Sequence, residues 1–503
     1  KLIRDQIALG NQVLYLLPEI ALTTQLITRL RKYFGDKIGV YHSKFSPNER
    51  VEVWKSVINE NLQQYDVIIG ARSSVFLPYQ RLGLIVIDEE HESSFKQYDP
   101  APRYHARDVA FKLSKLHQCE VLMGTATPSV ETMLNSDNQV FKYVELNSRF
   151  NNVMLPEIQC SDIKKATNKK EMQGIFSPLL LNEIKEVLKL GEQVILFQNR
   201  RGYAPKWMCE TCGWKTMCKQ CDVSLTYHKF PNTMNCHYCG FQQPVPIQCG
   251  ACGSSTLKMV GFGTEKIEEE IAALLGEKVR VQRMDLDTTR KKNAYHEIIE
   301  SFEKREIDIL IGTQMVSKGL DFDHVSLVGI LNADDMLYFP DFRAFERSFQ
   351  LMAQVSGRAG RKKKRGKVIV QSYNPDHWII QKLMQHDYQG MYEQELLERK
   401  QFNYPPYTRL IKLTVIHKMV NVVDDASELL VKTLREKLGS RVLGPEYPSI
   451  ARIRNSYHKI ITLKFEKKAS PMKVKAYLLS TSLWLKQQKE FKTVRVKIDV
   501  DPV

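Results

Sequence analysis

The chain has 503 residues, 43% of them hydrophobic and 26% charged, enough to bury several cores, and its length points to three or four domains. No run of 18 apolar residues occurs, and the opening Lys1-Leu2-Ile3-Arg4-Asp5-Gln6 lacks the apolar core and cleavage site of a secretory signal. Disorder and a membrane-spanning helix are thereby excluded, and a cytoplasmic chain is expected. The 73 basic against 57 acidic residues leave a net charge of +16, which favours a polyanionic partner without specifying one.

Along the chain, short apolar runs alternate with helical periodicity at Val13–Leu17, Val67–Gly70, Leu84–Ile87 and Val121–Gly124. Fully apolar short strands between helices predict a parallel sheet covered on both faces. Ligands of such sheets bind at the carboxyl ends of the strands, and Leu84–Ile87 runs straight into Asp88-Glu89-Glu90-His91. One carboxylate there suits the magnesium of a nucleoside triphosphate and its neighbour suits orientation of an attacking water. Asp88 is assigned to the metal and Glu89 to the water; a solvated acidic turn is the plain alternative. The following segment, residues 95–108, mixes aromatic rings with cations, as stacking on single-stranded bases requires. Its candidates are Phe95, Lys96, Tyr98, Arg103 and Tyr104, with Phe95 and Tyr104 as packing anchors in the competing view. The strand at 121–124 then ends in Gly124-Thr125-Ala126-Thr127-Pro128, whose hydroxyls suit coupling of phosphate state to movement.

The strand rhythm resumes at Val194–Phe197, breaks, and continues at Ile307–Ile311, Ser326–Ile330 and Lys367–Val370, so two doubly wound lobes are expected. The break holds eight of the ten cysteines as four Cys-x-x-Cys pairs: Cys209/Cys212, Cys218/Cys221, Cys236/Cys239 and Cys249/Cys252. Each pair is a zinc knuckle, and four thiolates close a tetrahedral site, so eight ligands hold two zinc ions. A disulfide framework is disfavoured in a cytosolic chain, and redox pairs do not come in fours. Only five residues separate Cys212 from Cys218, a short span for turning two knuckles onto one ion, whereas fourteen separate Cys221 from Cys236. The inner pairs therefore suit one site and the outer pairs the other, nested around it. Cys119 and Cys160 read as buried small hydrophobes.

Past the second lobe, Arg409–Ile416 and His458–Phe465 alternate like half-buried strands with helices between, predicting a small α+β domain. Residues 379–503 hold 23 Lys and Arg against 13 Asp and Glu, so much of the positive charge lies here, with Arg452, Arg454 and Lys459 clustered. A second basic run, Arg361–Arg365, follows Gly360.

On Asp88–His91, Gly124–Pro128, Asn199-Arg200-Arg201-Gly202, Ile311–Met315, Gln354–Arg361 and the embedded Cys pairs, the chain resembles the superfamily 2 DNA helicases, and among them the primosomal protein N′ (PriA) family. That resemblance covers the whole chain. It implies an α/β fold of two RecA-like doubly wound parallel-sheet lobes, a two-zinc Cys-rich insertion and a C-terminal α+β domain. The expected spans are 1–148 for the first lobe, 149–205 with 260–378 for the second, 206–259 for the insertion and 379–503 for the DNA-binding C-terminal domain. The implied activity is an ATP-dependent 3′ to 5′ DNA helicase that recognises stalled or repaired forks and initiates primosome assembly. Implied cofactors are ATP with magnesium and two zinc ions. Implied partners are forked and single-stranded DNA, other primosome proteins, the replicative helicase loader and single-stranded DNA-binding protein. By the same resemblance His91 belongs to the catalytic acidic box and Gln354 is a polar sensor near the phosphate. Arg358 and Arg361 become arginine fingers, Thr313, Lys318 and Gly319 touch nucleotide and DNA backbone, and Arg72 grips the backbone, as does Pro18-Glu19-Ile20. No Gly-x-x-x-x-Gly-Lys-Ser/Thr occurs in the 503 residues. The expectation is a chain truncated at its N-terminus, lacking the P-loop, a 3′-end-capture domain and a winged helix, and inactive alone. A non-catalytic zinc-containing DNA-binding scaffold is the competing function.

Overall fold

Aliphatic and β-branched runs form the strands where they were expected, and several more besides. The computed structural model describes residues 1–503 apart from 19–23, 43–44, 59–64, 147, 149–152, 200–205, 220–223, 229–231, 237–238, 261–263, 277, 286–287, 290–293, 318–319, 321, 361–364 and 454. Two compact units result, one of residues 1–133 with 315–322 and 503, the other of 134–314 with 323–502.

The first unit holds a five-stranded sheet of β1 (Gln12–Leu16), β2 (Ile38–Tyr41), β3 (Val67–Gly70), β4 (Leu82–Asp88) and β5 (Glu120–Gly124). The order is β2-β3-β1-β4-β5 and every pair is parallel. Leu14, Ile68, Ile85 and Ile87 are fully buried along it, as non-alternating strands covered on both faces must be. β2 was not foreseen: its Ile-Gly-Val-Tyr is short and carries a glycine, a breaker by propensity. In the sheet Gly39 makes room for the Tyr65 ring, which a Cβ would meet at 2.6 Å.

The second unit begins its sheet with β6 (Glu157–Asp162) and β7 (Gln193–Phe197). The Cys-rich segment then inserts β8 (Lys206–Cys209), β9 (Thr226–His228), β10 (Thr233–Asn235), β11 (Gln242–Pro244) and β12 (Leu257–Val260). The main sheet resumes with β13 (Val281–Met284), β14 (Ile309–Gly312), β15 (Val325–Ile330) and β16 (Lys367–Ser372). Its order is β13-β14-β7-β15-β16-β6, parallel throughout. The helix Pro178–Lys189 starts with Ser177, whose side chain accepts from Leu180 N, and with proline in its first turn. It buries Leu180, Leu181, Ile184 and Val187, the 3.6-residue stripe that packs on Val194, Leu196 and Ile369.

A four-strand antiparallel path of β17 (Thr408–His417), β18 (Val442–Glu446), β20 (Ser456–Glu466) and β21 (Arg495–Val500), with the short β19 (Arg452–Ile453) on β20, closes the chain. Helices Val420–Leu438 and Pro471–Gln487 pack on it around Leu430, Leu434, Leu463, Leu478 and Leu485. This is the expected α+β domain. Asp137 accepts from Tyr392 Oη at 2.5 Å within the second unit. Helices Trp378–Met384 and Tyr388–Gln401 belong with the second lobe: Ile379, Ile380 and Leu383 are buried, and Arg399 bonds Glu346 at 2.7 Å inside the protein. Cys119 and Cys160 are only half-buried: Cys119 immediately precedes β5 at the margin of the first lobe's core, and Cys160 lies on β6, the edge strand of its sheet. Burial, followed by Asp334, Asp162 and Asp376, pushes the Cys160 thiol up to about 12, so it is no nucleophile.

Candidate functional site

Asp88 is the last residue of β4, and the chain turns there through Glu89 in the left-handed region at φ 52°. A non-glycine residue held so carries strain of the kind found at functional turns. The Asp88 carboxylate accepts from Tyr15 Oη at 3.1 Å and from Glu89 N at 3.1 Å. Burial raises its pKa, against the hydrogen bonds from Tyr15 and Glu89. A desolvated carboxylate at a strand's carboxyl end fits a hard divalent cation, which would replace its lost hydration. His91 Nδ1 lies 2.8 Å from Thr125 Oγ1 and 3.7 Å from Glu89 Oε2, and its Nε2 lies 3.8 Å from Glu92 Oε1.

Glu90, given no role from sequence, is buried and heavily bonded. Its Oε1 accepts from Ser129 N at 2.7 Å, and its Oε2 from Thr132 Oγ1 at 2.8 Å and Arg107 Nη1 at 2.5 Å. The acidic turn is thus clamped to the helix Val130–Asp137 that follows the Gly-Thr-Ala-Thr-Pro segment. Tyr15 and Arg107 were also missed. A tyrosine inside an apolar strand and an arginine on the helix Ala106–His117 give no signal until the partners are brought together.

Of the five DNA candidates in 95–104, two are corrected. Phe95 is 1% exposed within the first lobe's core and Lys96 is 2% exposed, its Nζ donating to Arg103 O at 3.0 Å. A ring and a cation so enclosed cannot meet a base or phosphate. The segment folds back as a narrow hairpin, Gln97 N donating to Tyr104 O at 2.8 Å, and this turns Phe95 inward. Tyr98 is exposed and donates to Val503 O at 2.7 Å; Arg103 Nε donates to Tyr98 O at 2.8 Å; Tyr104 is half-buried. Arg72 Nη1 donates to the carbonyls of Ser94 at 2.9 Å and Lys96 at 3.0 Å, so it staples this hairpin. In the C-terminal domain Lys459 is likewise committed, to Asp424 at 2.8 Å and Glu428 at 3.8 Å, which removes it from the basic cluster.

In the second unit Thr313 follows β14 directly, Gln354 sits in the last turn of the helix Ala344–Ser356, and Arg358 lies just past its end. Burial pushes the nearby Tyr295 phenol up to about 12, against the pull of the Arg358 charge. Lys318, Gly319, Arg361, Arg454, Cys221, Arg200 to Gly202, and Glu19 with Ile20 lie outside the described residues.

The cysteines gather in two groups. Cys209, Cys212, Cys249 and Cys252 place their sulfurs within 4.8 Å of one another, and so do Cys218, Cys236 and Cys239. Outer pair thus meets outer pair, held by the antiparallel β8–β12 pairing. Sulfur separations of 3.7 Å for Cys209–Cys252, 3.3 Å for Cys212–Cys249 and 3.6 Å for Cys218–Cys239 suit a tetrahedron with metal–sulfur bonds of about 2.3 Å. Cys249 Sγ accepts from Ala251 N and Cys252 N, each at 3.4 Å. Desolvation opposes ionisation, yet these donors bring its thiol down to about 7. The four sulfurs of the outer group fit zinc in a closed site with no open position, and the three described sulfurs of the inner group also suit zinc.

Comparison with known proteins follows the same division. Residues 2–135 match the DEAD/DEAH box helicase domain, 254–363 the helicase conserved C-terminal domain, 218–244 the PriA DNA helicase Cys-rich region (CRR) domain and 400–503 the primosomal protein N C-terminal domain. Replication restart protein PriA of Rickettsia felis is 36% identical over 502 residues, which cover 100% of this chain and 75% of that one. The Treponema pallidum protein of that name is 39% identical over 460 residues, 91% of this chain and 68% of the other. The chain belongs to the PriA replication restart protein family. It also spans 61% of the Bacillus subtilis PriA, at 39% identity over 502 residues, and 60% of the Synechocystis one. Among the described residues no helix is long and apolar enough to cross a membrane.

In this PriA-family chain the Cys-rich region is seated on the second lobe by a buried cation. Lys215 Nζ lies 4.0 Å from Asp334 Oδ1, both side chains at most 2% exposed, and 4.1 Å from the centroid of the Tyr338 ring. Ser224 Oγ donates to the Tyr338 carbonyl, and Tyr373 N donates to Asp334 Oδ2 at 3.0 Å. His377 closes the group. Burial pushes its imidazole down to about 4, with Asp334 pulling upward and Lys215 downward. Unfolded, it titrates near its ordinary value of about 6.5. Between those values the unfolded chain binds more protons, so stability present above about pH 6.5 is lost as the pH falls toward 4. His377→Phe is expected to flatten the decline in the second unit's urea midpoint between about pH 7 and 5; an unaltered slope would refute this.

Proposed function

We propose that this chain is the motor, zinc and C-terminal part of an ATP-dependent 3′ to 5′ DNA helicase that recognises stalled or repaired replication forks and initiates primosome assembly. The observation that carries the proposal is the acidic turn at the end of β4, clamped through Glu90 to the segment after Gly124. Asp88 would hold the magnesium of ATP, which supplies neutralisation of phosphate charge when bound. Glu89 orients the attacking water, and His91, bonded to Thr125, reports the state of that site to the next strand. Gln354, Arg358, Arg361 and Gly319 are read as further nucleotide-binding residues. Tyr98, Arg103, Tyr104, Thr313 and Lys318 face DNA, Arg72 positions the hairpin, and the two zinc ions hold a rigid module that serves as a wedge or docks other primosome proteins, the helicase loader and single-stranded DNA-binding protein. With no phosphate-cradling Gly-x-x-x-x-Gly-Lys-Ser/Thr in these residues, hydrolysis by the 503 residues alone is not expected.

The test measures ATP hydrolysis by this chain and by the same chain extended through its natural upstream sequence, each with and without forked DNA. Hydrolysis is expected only in the extended form, and Glu89→Gln should lower it by about 100-fold or more while nucleotide still binds. No hydrolysis in either form would favour the non-catalytic scaffold, and hydrolysis by the short chain would overturn this account of the nucleotide site.

A further inference from the structure

Where Phe95 turns inward, another ring faces out. Phe76 ends the turn Arg72–Phe76 that leaves the carboxyl end of β3, and it is 56% exposed. A single exposed ring is ordinary on a protein surface, but this one stands on a stiff base. Ser74 beneath it is fully buried, its Oγ donating to Ala71 O at 2.6 Å while Tyr79 Oη donates to Ser74 O at 2.9 Å. Gly70 permits that tight return, since a Cβ there would lie 2.6 Å from Ser74 Cβ and 3.0 Å from Tyr41 O. The Tyr104 ring meets Phe76 edge-on, centroids 4.7 Å apart at 79°, which leaves a face of Phe76 open. Arg72, on the same turn, bonds the carbonyls of Ser94 and Lys96, within the segment that leaves the acidic turn. Only β1 separates β3 from β4, so the ring's turn and Asp88 share one sheet edge about 10 Å apart.

We propose that Phe76, buttressed by Tyr104, is a stacking platform for a base of single-stranded DNA, and that Arg72 links its occupancy to the acidic turn. The proposal rests on the DNA-motor reading. A π-face accepts any base, so the platform is sequence-tolerant.

The experiment titrates the 503-residue chain with a fluorescein-labelled oligo-dT and with the same backbone made abasic, at one salt concentration. Phe76→Ala is expected to weaken oligo-dT binding by about 5-fold to 100-fold and to leave abasic binding unchanged. Phe76→Trp should restore oligo-dT binding and show tryptophan quenching on saturation. Wild-type binding of oligo-dT with Phe76→Ala equal to it would overturn the platform and leave the DNA-motor reading standing, as would an equal loss on dT and abasic strands. Failure of the wild type to bind either strand would instead sink the DNA-motor reading and the platform with it.

Discussion

Glu90→Ala is expected to destabilise the first lobe by about 3–5 kcal/mol, the usual consequence of stranding one member of a buried ion pair. The side chain is fully enclosed, and its removal leaves Arg107 Nη1 without its carboxylate and Ser129 N without its acceptor. Ser129 N would be desolvated with nothing to bond, and Arg107 Nη1 would keep only the hydroxyls of Ser129 at 3.2 Å and Thr132 at 2.9 Å in place of a carboxylate. Hydrogen exchange across residues 106–133 should therefore accelerate by two orders of magnitude or more, about ten-fold for each 1.4 kcal/mol of lost protection. Glu90→Gln keeps an acceptor for Ser129 N but loses the charge facing Arg107, and should fall between. Unchanged exchange in Glu90→Ala would show that the clamp contributes nothing, and would remove the mechanical link between Asp88 and the Thr125 segment on which the coupling argument depends.

Cys249→Ser should release about one zinc ion per chain and loosen the β8–β12 pairing, since structural zinc contributes on the order of 10 kcal/mol or more to such modules. Pairing of the ligands is tested by combination. Cys209→Ser with Cys249→Ser should lose no more metal than Cys249→Ser alone, because both sulfurs serve one site. Cys218→Ser with Cys249→Ser should lose about two ions. Metal analysis giving two ions lost from the first combination would refute the nested arrangement. Lys215 and Ser224 anchor the module to Asp334 and Tyr338 from outside the sulfur clusters, so the second lobe should keep its own fold when one zinc is removed.

Spacing alone was enough to bring Cys209 and Cys212 together with Cys249 and Cys252, because a knuckle is a local turn and its partner must match it in number. The apolar strands were legible for a similar reason: Val194–Phe197 and Ile309–Gly312 are short runs without alternation, which only a sheet covered on both faces can bury. The acidic turn was legible because it follows such a strand directly. Composition by itself did not say which ring in an aromatic, basic stretch meets solvent. Phe95 and Phe76 both lie in short turns after strands; Phe95 joins the core with Ala106 and Ala110 while Phe76 stays outside. Arg72 and Lys459 look like nucleic-acid contacts until their carbonyl and carboxylate partners appear.

What the sequence determined by itself was therefore the local grammar of this protein: two strand-and-helix rhythms, an acidic turn at a strand end in the first and four Cys-x-x-Cys turns interrupting the second. The tertiary structure decided which polar groups remain available. Tyr15 reaches Asp88 across 73 positions and Thr132 reaches Glu90 across 42. The cost of burying a charge or hydroxyl depends on the partner it finds there and not on its neighbours along the chain.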